Sequence, residues 1–325
     1  MLRSDKIPII ALSAVIVILL TALVGPYLIS LPYMSQVSNV QPLAGVQTRD
    51  PAATPAIDTD MCGDSLIGKA LPHAMFPDFT QLVLDAAHKP SVQGMSPEIP
   101  LPDGYLTEDV TEYIYTTYNY ALHNAWYSTR DFAGKTWFSP CNNSAEVKDL
   151  NAVYTEAERI IKELGIDENT RQRDAIVRIN NYICENMSYQ HDGSKVVRDA
   201  YASFFMDTGV CYNYTIQFQI LCLTAGIECH YTSSDDGTHC WNQVFFSDGS
   251  YCWIDVCWND NTAQDATGKW VEVSIANGFT ADFVAARRGR FLFMDDLQNK
   301  EAHAEYGHHM PKEYAFVLKY YDITY

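Results

Sequence analysis

Basic residues are scarce in this chain. Lys and Arg total 22 against 40 Asp and Glu, for a net charge of −18 over 325 residues. Nucleic-acid binding needs a basic face opposite the phosphates, so nucleic acid is not an expected partner, and the acidity is read as a source of solubility. Internal repeats are absent. So are C-x2-C and C-x3-C knuckles, a usual frame of structural zinc. No convincing A-x-A-like cleavage site succeeds the apolar stretch at the start of the chain, and "PLAGV" lacks a lipoprotein cysteine. What is plentiful is apolar surface: 47% apolar and 13% aromatic residues supply a sizeable core and argue against wholesale disorder.

Arg3 and Lys6 precede a nearly uninterrupted apolar run from Ile7 to Leu31. That is about the ~20 residues a helix needs to cross a bilayer, and longer than the ~7–15-residue core of a signal peptide. The expectation is a cytoplasmic stretch at 1–6, an uncleaved membrane anchor at 7–31, and the remainder outside the cell. Secretion after signal cleavage is the alternative. Residues 32–60, rich in Pro, Ala, Ser, Gln and Thr, read as a tether. Residues 61–144 carry irregular and helical pieces without a motif; their expected role is to pack against the next domain, 145–325.

From Val147 the periodicity sharpens. Val153, Ala157, Ile160, Ile161 and Leu164 share one helical face that ends at Gly165. A second helix turns Ala175, Ile176, Ile179, Ile183 and Met187 inward. A third begins after Gly209, with Tyr214, Phe218, Leu221 and Ala225 on one face, and Gly226 stops it. The strands "ECHYTS", "HCWNQVFF" and "YCWIDVCW" come next. Cys211 thus falls in the first turn of the third helix, where unpaired N–H groups favour thiolate over thiol. Gly209 is expected to let the chain turn tightly there and to leave room above the sulfur. A lone cysteine at a helix start is still more often a core residue than a nucleophile.

The hairpin downstream adds partners. "SDG" suits a three-residue loop with Ser247 and Asp248 in a type I turn and Gly249 left-handed, which pairs Phe246 with Ser250. His239 then falls opposite Cys257, Trp241 opposite Asp255, and Gln243 opposite Trp253. His239 and Asp255 become diagonal neighbours on one face. A two-residue loop would place them on opposite faces. In that register Cys211 attacks an amide or peptide carbonyl. His239 holds the thiolate as an ion pair and protonates the leaving amine, and Asp255 orients the imidazole. The backbone N–H of Cys211 is one expected oxyanion donor, with Tyr201 and Asn213 as nearby candidates for oxyanion or substrate contacts.

These residues resemble the transglutaminase-like superfamily in its bacterial form. "GVC" opens a helix that "AGI" closes, "H-x-W-N" lies on a strand, and a hairpin leads into "ID-x-x-W-x-D". "AIVRINNYICENMSYQ" with "DAYASFF" matches the segment ahead of the cysteine, and "FLFMDDLQNKEAH" the closing strand and histidine. The resemblance spans about residues 145–310. It implies Cys211, His239 and Asp255 as the triad, and a papain-like α+β core in which the nucleophile's helix packs on an antiparallel sheet. The implied activity is hydrolysis or acyl transfer on peptide or protein amides at the cell surface, with no cofactor and no metal; the leaning is to a peptidase or amidase, because nothing suggests the calcium ligands of animal crosslinkers. Three positions depart from the family pattern. Cys240 stands where Ala is common, Cys257 where Thr is common, and Tyr212-Asn213 come directly after the nucleophile.

Competing readings remain for the same residues. Among the nine cysteines, Cys62 with Cys141 is the first disulfide to consider, and Cys240, on the opposite strand face from His239, reads as core filler. Zinc could draw on Cys229, His230, His239, Cys240, Cys252 and Cys257, but adjacent strand residues face opposite ways. His303, His308 and His309 read as surface or capping residues. Trp253 reads as core, whereas Trp241 is open between core and a substrate groove. The non-enzyme alternative is a surface binding domain that keeps this fold without its chemistry.

Overall fold

The computed structural model describes residues 63–67, 77–90, 98–101, 107–121, 125–130, 135–140, 142–190, 192–234, 236–247, 250–260, 262–264 and 270–304. All of them lie in the unit spanning residues 56–325. The expected anchor at 7–31, the tether at 32–60, the Cys62–Cys141 pair, His308 and His309 fall outside the described residues. Among the described residues no helix is long and apolar enough to cross a membrane.

Helix α3 (Ser144–Glu163) starts on a capping box. Asn143 Oδ1 accepts from the backbone N–H groups of Ala145 and Glu146 at 2.9 and 3.1 Å, and the Glu146 carboxylate accepts from the Asn143 N–H. Its buried stripe is Val147, Leu150, Val153, Ala157, Ile160 and Ile161. The helix stops where Gly165 turns left-handed at φ 63°. Helix α4 (Gln172–Asn186) buries Ala175, Ile176, Ile179 and Ile183 completely. Helix α6 (Cys211–Thr224), reached through the short α5 (Ala200–Phe205), is buried at every position from Asn213 to Cys222. A helix enclosed on all sides has no polar face to lose, and α6 is the central rod of the fold, packed on α3, α4, α5 and a sheet.

That sheet is an antiparallel meander of β6 (Glu228–Ser233), β7 (Cys240–Phe245) and β8 (Tyr251–Ile254). The β7–β8 register pairs Phe245 with Tyr251, Val244 with Cys252 and Gln243 with Trp253, and Phe246 N–H donates to Ser250 at 2.8 Å. It is the register expected of a three-residue loop. The strand does not run on to Trp258 as expected. It ends at Ile254, and Asp255 caps a one-turn helix, α7 (Val256–Asn259), by accepting the Trp258 N–H at 2.9 Å. The reason is local competition: residues 291–294 occupy the edge of β8, with Trp253 and Met294 exchanging backbone bonds and Asp255 N–H donating to Phe291. A carboxylate at an N-cap then favours the turn of helix over further extension. Cys257 is therefore helical and does not sit across from His239.

The described part of 61–144 shares one hydrophobic core with the helices and sheet just outlined. Helix α1 (Pro77–Ala87) and a sheet ordered β1-β3-β2, from Ile99–Pro100, Lys135–Pro140 and Ala125–Arg130, contribute Phe79, Val83 and Phe138. Helix α2 (Thr107–Tyr118) is tied to β6 by polar groups. The Thr116 and Thr117 hydroxyls each lie 3.1 Å from His230 Nδ1, whose Nε2 meets Glu228 at 2.8 Å. Gln219 of α6 donates to the carbonyls of Thr116, Thr117 and Cys229.

The entry into α6 is tight. A parallel pairing of β4 (Ser188–Tyr189) with β5 (Thr208–Gly209) draws Met187 against Gly209. A Cβ on Gly209 would stand 2.6 Å from Asn213 Cβ and 2.9 Å from Met187 Sδ. The glycine thus serves close packing against Asn213 and Met187, rather than the space above the sulfur. Gly209→Ala is expected to cost about 1–3 kcal/mol of overpacking strain in denaturant unfolding, and to slow alkylation of Cys211 by shifting the helix start.

Candidate active site

Cys211 is the first residue of α6 and half-buried. Val210 N–H donates to Asn213 Oδ1 at 3.2 Å, which holds the first turn closed around the cysteine. Two side chains beside the thiol act on its charge, Cys240 and His239. His239 lies immediately before β7 and is 5% exposed. Its Nε2–H donates to Asp255 Oδ2 at 2.6 Å, so the nitrogen facing Cys211 is Nδ1. Asp255 is fully buried at the end of β8. The sequence-derived trio is thus brought together in one line, thiol to imidazole to carboxylate.

The charges are set by the contacts. Cys211 is lowered to about 5, first by the Cys240 thiol that donates to it, against the opposing effect of burial, and then by the hydrogen bond and charge of His239. Burial works against a charged His239, but the charge and hydrogen bond of Asp255, and then Cys211, raise it to about 10. Burial works against an ionised Asp255 too, yet His239 and then His303 hold it below the usual carboxylate range. Cys240 moves the other way: burial, then the neighbouring Cys211, push its thiol well up, so it keeps its proton and can donate.

Cys240 is therefore not a filler remote from the site. Its face of β7 is the one that packs on α6, where Thr215 Oγ1 donates to the Cys240 carbonyl at 3.0 Å and meets its sulfur at 3.5 Å. The start of α6 lies at the end of the strand, so His239 and Cys240 both reach Cys211 despite being adjacent. Tyr231 of β6 also hydrogen-bonds the Cys240 side chain.

His303 corrects the surface reading of that residue. It is completely buried at the C-terminus of α9 (Asp296–Ala302), the helix that follows α8 (Ala281–Arg288), with Nε2 3.1 Å from Asp255 Oδ2. Helix α9 is pinned by Asp296, which accepts from Trp253 Nε1 and the Tyr251 hydroxyl at 2.8 Å each. Trp258 stacks on His239 with centroids 5.0 Å apart, and Trp241 lies 5.7 Å from it. Trp241 is 1% exposed, so it walls the site from within and lines no open groove; Trp253, equally buried, is core.

The remaining candidates sit elsewhere. Both amide hydrogens of Asn213 are committed, to the Val197 carbonyl at 3.0 Å and Ser203 Oγ at 3.2 Å. Tyr201 is exposed and stacks on Phe205 at 4.5 Å; it lines a cavity of about 220 Å³ with Tyr120, Glu146, Asp149 and Asp199. Among the described residues His239, Asp255 and His303 form a group with ligand atoms within 4.8 Å of one another, and both nitrogen–oxygen contacts in it are hydrogen-bonding. Cys229, His230, Cys240, Cys252 and Cys257 do not join such a group. The sequence signals for the missed residues were present but silent. Cys240 stands directly after His239, and His303 lies far downstream, placed only by the fold.

A helix-start thiol, an imidazole and a carboxylate thus stand together at the start of α6. Residues 159–257 match the family model described as the transglutaminase-like superfamily, and the chain carries a transglutaminase-like domain there. Cys211, His239 and Asp255 all lie within the matched stretch. No curated protein matches the chain.

Removal of the Cys240 thiol tests its hold on the nucleophile. In Cys240→Ala the midpoint of the pH profile for Cys211 alkylation is expected to rise by about 1–2 pH units, the effect of one hydrogen bond to a charged group at ~1.5–3 kcal/mol. An unmoved midpoint would remove Cys240 from the account.

Proposed function

We propose that this protein is a transglutaminase-like cysteine enzyme that opens peptide or protein amides through an acyl-enzyme on Cys211. The observation that carries the reading is the placement of Cys211 in the first turn of α6 beside His239, whose Nε2–H donates to the buried Asp255 at 2.6 Å. The nucleophile is lowered to about 5 while the histidine beside it is raised to about 10. Thiolate and imidazolium coexist across neutral pH, which a merely structural cysteine does not require. The thiolate attacks the carbonyl carbon, and the oxyanion forms beside the Cys211 N–H in the first turn of α6. Collapse of that intermediate breaks the carbon–nitrogen bond while His239 passes its Nδ1 proton to the departing amine. Water, or a second amine, then attacks the thioester with His239 as base, and regenerates the thiol pair. Asp255 keeps Nε2 occupied throughout, so that Nδ1 is the nitrogen that exchanges protons.

The papain-like α+β description fits this reading, since the nucleophile's helix packs on the antiparallel meander that carries its partners. The apolar run 7–31 behind Arg3 and Lys6 supports an anchored, outward-facing enzyme acting on surface peptides or proteins. A catalytically silent binding domain is the second reading, and the lowered pKa of Cys211 disfavours it.

The pH profile decides between them. Because the thiol titrates at about 5 and the imidazolium at about 10, iodoacetamide labelling of Cys211 is expected to stay level between those values and to fall on the acid side of the lower one. His239→Ala is expected to move the labelling midpoint alkaline, toward the free-thiol value of about 8.5, with the remaining depression owed to Cys240. A wild-type profile already rising only near that alkaline midpoint would overturn the enzymatic reading. An acyl adduct trapped on Cys211 from a surface extract, with Cys211→Ala as blank, then identifies the acyl donor by mass.

A further inference from the structure

We propose that His303 is a positioning residue for this site, donating its Nε2–H to Asp255 while held between Trp241 and Trp258. The inference rests on the cysteine-enzyme reading above and deepens it. Three observations carry it. Asp255 Oδ2 is shared: it receives His239 Nε2–H at 2.6 Å and faces His303 Nε2 at 3.1 Å. The His303 ring lies nearly parallel to two indoles, 4.1 Å and 9° from Trp241 and 4.5 Å and 21° from Trp258. Its other nitrogen, Nδ1, lies 2.9 Å from the Asn299 carbonyl, one turn back in α9.

Each contact removes a freedom. The indoles fix the plane of the ring, the Asn299 contact fixes its rotation, and the donor is thereby aimed at one carboxylate oxygen. The other oxygen, Oδ1, is taken by the Trp258 N–H at 2.9 Å. The carboxylate cannot rotate away from His239 without losing both. Both ring nitrogens of His303 face oxygen acceptors, so the two contacts are hydrogen bonds together only when each nitrogen carries a proton. With a single proton, its placement on Nε2 preserves the bond to Asp255.

The same two tryptophans touch His239, whose ring centre is 5.8 Å from that of His303. Asp255 therefore sits at the junction of two histidines enclosed by one pair of indoles. Only one of the two reaches the sulfur. The other acts through the carboxylate.

Two variants separate the donor from the shape. His303→Phe keeps an aromatic ring between the indoles and removes the N–H; His303→Gln gives up the ring and keeps an N–H donor of similar reach. In the full chain, labelling of the Cys211 peptide by iodoacetamide is monitored by mass spectrometry across pH, with thermal melting alongside. His303→Phe is expected to slow labelling near pH 6 by about tenfold or more, the size of one hydrogen bond to a charged group, and to move the midpoint alkaline. His303→Gln is expected to stay within about threefold of the wild type at that pH, since the donor is retained. Wild-type labelling in His303→Phe overturns the proposal, as does equal loss in both variants, which would make the ring's packing the relevant property. His239→Ala keeps the two claims apart. If it abolishes low-pH labelling while His303→Phe leaves it intact, only the role of His303 is lost; if it leaves labelling intact, the triad reading itself falls.

Discussion

A carboxylate with no exposure to water is the constraint around which this site is built. Burying an unpaired Asp255 would cost several kcal/mol, and the chain meets that cost with donors drawn from three separate segments. His239 comes from the edge of β7, Trp258 from α7, and His303 from the end of α9, while Phe291 receives the backbone N–H of Asp255 itself. Each donor depends on a different feature of the fold: the hairpin register, the early end of β8, and the anchoring of α9 through Asp296. If any one fails, the buried negative charge is left short of a partner. The ionised state of Asp255, below the usual carboxylate range despite burial, measures how completely those features act together.

The nucleophile's position has a separate origin. Helix α6 is enclosed by α3, α4, α5 and the sheet, and its hydrogen bonds to the sheet run through Thr215, Gln219 and Asn242. Tyr214 on the same helix binds the carboxylate of Asp260, just past α7. A helix so fixed cannot slide to bring Cys211 closer or farther. At its N-terminal end Cys211 and Tyr212 are half-buried, which leaves the sulfur side open to a small reagent. The rigid rod supplies aim and the helix start supplies access.

Much of this was readable in the residues. Period-3.6 patterns at Val153–Ile161 and Ala175–Ile183 located α3 and α4 because each has one buried stripe. The "SDG" loop gave the register of β7 and β8 because the period of two leaves no intermediate pairing. What escaped was tertiary in origin. The end of β8 at Ile254 results from residues 291–294 pairing with its edge, a contact with no local signature. The alternation rule placed Cys240 away from Cys211, since it treats strand faces as separate and ignores a helix terminus lying at the strand's end. His303 reads as surface or capping, and it does cap its helix; what escaped is its burial, which like that of Trp241 depends on their stacking 4.1 Å apart.

The two residues that sequence reasoning undervalued act at opposite ends of the same charge row. In the proposed ionised state, thiolate, imidazolium and carboxylate alternate in sign across a mostly buried site. Cys240 donates to the thiolate end and His303 faces the carboxylate end, so both favour the ionised form of the terminal groups. With anions held on either side, His239 keeps its proton far above its usual range. That firmness has a chemical consequence. In the proposed reaction the sulfur loses its charge on attacking the carbonyl, before the carbon–nitrogen bond breaks, and with it go two of the contributions that raise His239, the charge and hydrogen bond of Cys211. The imidazolium then holds its proton less tightly at the step where the leaving amine must receive one. In the proposed reading the acidity of Cys211 is raised first by Cys240, a fourth side chain beside Cys211, His239 and Asp255, and then by His239.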